Sequence, residues 1–193
     1  KSQQAKSISL LSEISFVAQI NPIKVIVGHA NGTISIVNIE TGFIEKFYDE
    51  QTGRIINIKY IPEIFMFVAA SNDGIIRVYN ENLNSSISCL EYLGINCSLE
   101  LCVVENKRRY LIIASQNGYV EFYTCPGWKI HKELQIKDSF VSSLKCIPKY
   151  SWLLLGNFFG EISLVQVDTV EKIADYNKVH YGLVNFLVIY QDA

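Results

Sequence analysis

Three histidines (His29, His131, His180) and five cysteines (Cys89, Cys97, Cys102, Cys125, Cys146) are the residues of this 193-residue chain best suited to metal ligation or nucleophilic chemistry. A structural zinc site gathers such donors in closely spaced pairs. Here the histidines are scattered, none stands at ligand spacing from a cysteine, and no C-x-x-C occurs. G-x-S-x-G, which would set a serine on a strand-to-helix turn, is absent, as are the phosphate-cradling patterns G-x-x-x-x-G-K-[ST] and G-x-G-x-x-G. The expectation is a chain without catalysis, metal or cofactor. Several cysteines replace apolar residues inside strand-like runs, which predicts reduced, buried thiols and a cytoplasmic protein. Cys125 lies in a turn, where a thiol could be exposed.

Charge narrows the partners. The formal net charge of −2 gives no long-range attraction to phosphate polymers, so nucleic acid is not expected. Lys107-Arg108-Arg109 is the one basic cluster and reads as a solvated turn. No apolar run approaches the roughly 20 residues that span a bilayer, and the longest, Leu183–Tyr190, has strand length.

The elements that position these residues repeat. Gly32, Gly74, Gly118 and Gly160 stand 42, 44 and 42 residues apart, each after a short apolar run ending in Gly28, Ala70, Ala114 or Gly156. After each, apolar residues alternate: Ile34/Ile36, Ile76/Val78, Val120/Phe122 and Ile162/Leu164. A period of two is the strand signature. Asn31-Gly32, Asp73-Gly74 and Asn117-Gly118 predict tight primed hairpins with positive φ, while Phe158-Phe159-Gly160 predicts a longer or differently shaped turn. First strands are expected at Glu13–Ile20, Ile55–Ile61, Leu99–Val104 and from Val141, two of them ended by Pro62 and Pro148. Fourth strands are expected at Phe43–Tyr48, Ser86–Tyr92, Trp128–Ile136 and Val170–Tyr176, with Trp128 and Trp152 opening strands and packing between units. Each copy is thus a four-stranded antiparallel meander.

A unit of small–x–x–Asp/Asn–Gly–x–apolar–x–apolar–aromatic residues, clearest at Asp73-Gly74-Ile75-Ile76-Arg77-Val78-Tyr79-Asn80, resembles the WD-repeat β-propeller family. Tyr79-Asn80 stands where that family has Trp-Asp. No Trp-Asp occurs, and the family's His–Ser/Thr–Asp–Trp network has its nearest remnant in Ser71 and Asp73, with His180 as the best match to its Gly-His element. The resemblance implies an all-β propeller with blades at 12–49, 53–92, 96–137 and 139–177. It further implies an outer strand of a preceding blade at 6–11 and an inner strand of a following blade at 181–190. That register implies an arc of a larger ring of about seven blades, the alternative being a closed four-bladed ring. An arc exposes faces that favour self-association.

The resemblance also implies a non-catalytic scaffold that presents its turns to protein partners. The residues expected to meet a partner are His29, Asn31, Asn72, Asp73, Gln116, Asn117, Phe158 and Phe159. Phe158-Phe159 departs most, because the other copies place Ala30-Asn31, Asn72-Asp73 and Gln116-Asn117 there. A propeller-fold enzyme with carboxylates converging on the channel is one alternative. A nucleic-acid or phospholipid-binding propeller using Lys107–Arg109 is another.

Overall fold

The computed structural model describes residues 10, 12–91, 98–103, 108–115, 117–136, 140–177, 179, 181–185, 187 and 188. The period-two runs form strands throughout: β1 (Ile14–Asn21), β2 (Lys24–His29), β3 (Ile34–Asn38), β4 (Ile44–Tyr48), β5 (Ile55–Ile61), β6 (Met66–Ser71), β7 (Ile75–Asn80) and β8 (Ser86–Glu91). The same pattern continues in β9 (Ser98–Val103), β10 (Arg109–Ala114), β11 (Tyr119–Cys125), β12 (Ile130–Gln135), β13 (Val141–Ile147), β14 (Trp152–Asn157), β15 (Ile162–Gln166) and β16 (Glu171–Tyr176). They pair into four antiparallel sheets, ordered β1-β2-β3-β4, β5-β6-β7-β8, β9-β10-β11-β12 and β13-β14-β15-β16. The all-β class and the repeated meander therefore match the sequence pattern. As expected, β5 and β13 stop at proline, each followed by one 3-10 turn, Pro62–Ile64 and Pro148–Tyr150.

The turns between second and third strands differ from expectation. Only the glycines there take positive φ: 90° at Gly32, 83° at Gly74, 82° at Gly118 and 81° at Gly160. The preceding Asn or Asp does not, so these are not two-residue primed turns. Each is a three-residue loop closed by a left-handed glycine, a form that also suits the twist of the flanking strands. His29 N–H donates to Thr33 O (2.9 Å), Ser115 N–H to Tyr119 O (2.8 Å) and Asn157 N–H to Glu161 O (3.1 Å). The Phe158-Phe159 turn has the same length as its counterparts, because the glycine sets the geometry and the two residues before it do not.

The chain divides into two compact units, Lys1–Tyr92 and Leu93–Ala193. In the first, β5 lies against β1 and β2. The core there gathers Ile26, Ile34, Ile36, Ile55, Ile58 and three aromatic rings, Tyr48, Phe67 and Tyr79. Gly28 permits this contact, since a Cβ there would come within 2.5 Å of Ile55. In the second unit β13 packs on β9 and β10 over a core that includes Tyr110, Ile112, Phe122, Leu144, Leu153 and Val165.

Several expectations need correction. Cys102 on β9 and Cys146 on β13 form a disulfide with Cα atoms 5.6 Å apart, where reduced thiols were expected. Packing the first strands of neighbouring sheets brings together two cysteines that are 44 residues apart, and the thiols no longer argue for a reducing compartment. Cys125 ends β11 and is buried. Trp128 is in no strand; it sits at φ 53° in the turn before β12. The strand expected at 6–11 lies outside the described residues apart from Leu10, which is in no strand. The described part of 181–190 forms no strand either. Val184 instead donates its N–H to Asn157 O (3.0 Å), accepts from Ser142 Oγ (2.8 Å) and fills the space beside Gly156, where a Cβ would come within 2.5 Å of it. Its backbone groups bond to the end of β14 and to a side chain of β13 rather than to a ladder.

Candidate interaction surface

The residue that ends each second strand, or in copy three immediately follows it, is polar and buried: His29, Ser71, Ser115 and Asn157. These side chains anchor the turns from below. His29 is 1% exposed, with Nε2 3.0 Å from Ser35 Oγ and Nδ1 3.2 Å from Ser12 O. That corrects its expected role, because a ring enclosed by its own sheet has no surface to offer a partner. Ser71 Oγ and Ser115 Oγ make short hydrogen bonds to Asp73 Oδ1 and Asn117 Oδ1. The sequence carried this signal as four aligned polar residues in otherwise apolar runs.

At the residue before the glycine, copies one to three keep a polar group that ties the loop. Asn31 Oδ1 accepts from Thr33 N–H (3.2 Å) and Thr33 Oγ1 (2.8 Å). Asp73 Oδ1 accepts from Ile75 N–H (2.9 Å), and its Oδ2 from Thr52 N–H (3.2 Å) and Thr52 Oγ1 (3.1 Å). Burial works against the Asp73 carboxylate, but the donors from Ser71, Ile75 and Thr52 outweigh it and hold its pKa below the ordinary aspartate value. Asn31, Asn72 and Asn117 are exposed, and Gln116 lies outside the described residues.

Copy four redistributes these duties. Asn157 Oδ1 accepts from Phe159 N–H and Glu161 N–H, both at 2.9 Å, while its Nδ2 donates to Glu161 Oε2 at 2.7 Å. The strand-end residue thus does what Asp73 does in copy two, and positions 158 and 159 are free to be aromatic. Phe158 is 51% exposed and Phe159 56%, with ring centroids 5.9 Å apart at 89°.

A third ring joins them, and sequence reasoning missed it. Phe158 N–H donates to Phe140 O (3.2 Å), and the Phe140 ring, 49% exposed, stands 6.3 Å from that of Phe158 at 78°. The same backbone bond links Ala30 to Glu13 (2.9 Å) and Asn72 to Arg54 (2.9 Å). Phe140, Glu13 and Arg54 are therefore equivalent positions, each immediately before a first strand. In the first unit Arg54 and Glu13 form an exposed ion pair at 3.3 Å. Where copies one and two carry this exposed ion pair, copy four carries an aromatic ring.

A cleft of about 260 Å³ in the first unit is bordered by Lys24, Glu45, Lys46 and Glu81. Lys24 pairs with Glu45 (2.6 Å), Lys46 donates to Leu83 O (3.1 Å) and Glu81 accepts from Tyr60 OH (2.8 Å). In the basic cluster Lys107 lies outside the described residues and Arg108 pairs with Asp168 at 3.5 Å. Among the described residues no group of three His, Cys, Asp or Glu side chains is placed to hold a metal ion, and no helix is long and apolar enough to cross a membrane. No family model matches the chain, and no curated protein matches it significantly.

Proposed function

We propose that the chain is part of a WD-like β-propeller and serves as a non-catalytic scaffold for protein partners. Support for the propeller comes from four consecutive meanders of near-constant length and from the way β5 packs on β1 and β2, and β13 on β9 and β10. The observation that carries the interaction reading is the exposed cluster of Phe140, Phe158 and Phe159. These rings occupy positions where the fold is equally well served by Glu13, Arg54, Ala30, Asn31, Asn72 and Asp73. Folding does not require them there, and exposing large apolar rings has a solubility cost that a binding role would offset.

The test is quantitative affinity capture with the full chain and with a variant carrying Phe158→Asn and Phe159→Asp, the pair found at the equivalent turn of copy two. The expected result is a set of proteins recovered by the wild type and depleted with the variant. Recovery of no protein above background by the wild type, or turnover of a substrate by the purified chain, would overturn the reading, and equal recovery by both would overturn the assignment of the interaction to this cluster.

A further inference from the structure

We infer that the Phe140–Phe158–Phe159 cluster receives a short linear peptide with a bulky apolar anchor. This rests on the scaffold reading and specifies the chemistry of the partner. Size is the first argument. An aromatic side chain presents roughly 150–250 Å², so three rings at about half exposure offer on the order of 300 Å². A stable dimer of globular partners needs about 800 Å² from each side. A second copy of this chain is therefore poorly served by the cluster, while one or two inserted side chains of an extended peptide are well served.

Rigidity is the second. The turn is held from inside by Asn157, from one flank by the Phe158–Phe140 backbone bond, and from the other by Val179 N–H to Gly160 O (2.9 Å) and Val184 N–H to Asn157 O. A platform fixed before binding loses little entropy when it is occupied, which small contacts need most. Shape is the third: successive rings stand nearly perpendicular, so they form a stepped surface rather than a flat plate. Charge adds selectivity. The Glu161 carboxylate, bonded to Asn157, borders the turn and disfavours acidic residues beside the anchor.

The experiment is an array of short synthetic peptides with Leu, Phe, Trp, Ser, Lys or Asp fixed at the centre and mixed residues around it. It is probed with the wild-type chain, with Phe158→Asn/Phe159→Asp, and with Phe158→Ala/Phe159→Ala, while sedimentation reports the oligomeric state of each. The expected pattern is enrichment of Leu, Phe and Trp centres over Asp, reduced at least about tenfold in both variants. If the alanine variant fails to fold, the Asn/Asp variant decides, since its turn residues are those of copy two. Absence of apolar enrichment overturns the inference. So does enrichment that the Asn/Asp variant retains, which would leave the scaffold reading standing with another site. A wild-type dimer that the Asn/Asp variant dissociates also overturns it, making the cluster a self-association face.

Discussion

Each unit holds a cluster of three aromatic rings, and the two clusters have opposite relations to water. In the first unit Tyr48, Phe67 and Tyr79 are at most 1% exposed, with centroids 4.8 to 5.5 Å apart, sandwiched where the sheets meet. In the second, Phe140, Phe158 and Phe159 are half exposed and 5.9 to 6.3 Å apart. Residue type does not distinguish them; place in the repeat does. Tyr48, Phe67 and Tyr79 lie on strands and face another sheet, so their area drives folding. The phenylalanines lie on a turn and just before a first strand, where the first unit has Ala30, Asn31, Asn72 and Asp73 on the turns and Glu13 and Arg54 before the strands. The first cluster holds the first unit together, and the second is exposed to solvent.

Five substitutions would break or sharpen that contrast. The largest effect is expected from Phe67→Ala, which opens a cavity among Tyr48, Tyr79 and Ile26 and should cost about 3–5 kcal/mol in urea unfolding. A loss below about 1 kcal/mol would mean that the buried cluster is not the core element described. Second, removing the Cys102–Cys146 link by Cys102→Ser should cost about 2–4 kcal/mol in the second unit, given the long loop it closes. Thiol counting in denaturant checks the premise: three reactive cysteines are expected of the five in the chain, and five would show the pair reduced.

Third come the turn anchors. Asn157→Ala strips two backbone amides of their acceptor and should cost about 1–2 kcal/mol, with faster hydrogen exchange at Phe159 and Glu161. The counterpart in the first unit is Asp73, whose lowered pKa makes its contribution dependent on pH. It is present above the unfolded-state value of about 3.9 and lost as pH falls through the lower native value. Asp73→Asn should therefore flatten the acid limb of the stability profile, and an unchanged limb would refute the coupling. The smallest effect is expected from Phe159→Ala, within about 0.5 kcal/mol of wild type. A loss comparable to that of Phe67→Ala would erase the contrast between the clusters.

Much of the fold was legible because strands write their period into the chain and prolines mark their ends. The candidate surface was only half legible. Phe158 and Phe159 stood out by alignment with Ala30-Asn31, Asn72-Asp73 and Gln116-Asn117, none of them aromatic, but Phe140 did not. Its equivalence to Glu13 and Arg54 is defined by a backbone bond to a turn many residues later, which no local pattern records. His29 misled because a polar residue beside a turn reads as exposed, whereas its place at the end of β2 points it inward. The shape of the Phe158 turn was misread for a related reason: loop geometry follows from Gly160 and Asn157, not from the two rings between them.

By itself the sequence determined the local order of this protein, namely the sixteen strands of the described residues, their alternating faces and the glycine that closes each turn between second and third strands. These depend on side-chain direction and backbone freedom, properties of residues and their immediate neighbours. Tertiary structure alone decided which aromatic rings are buried and which are presented, and that Cys102 meets Cys146. Burial and cross-sheet proximity are set by which surfaces pack together, so identical side chains acquire opposite roles.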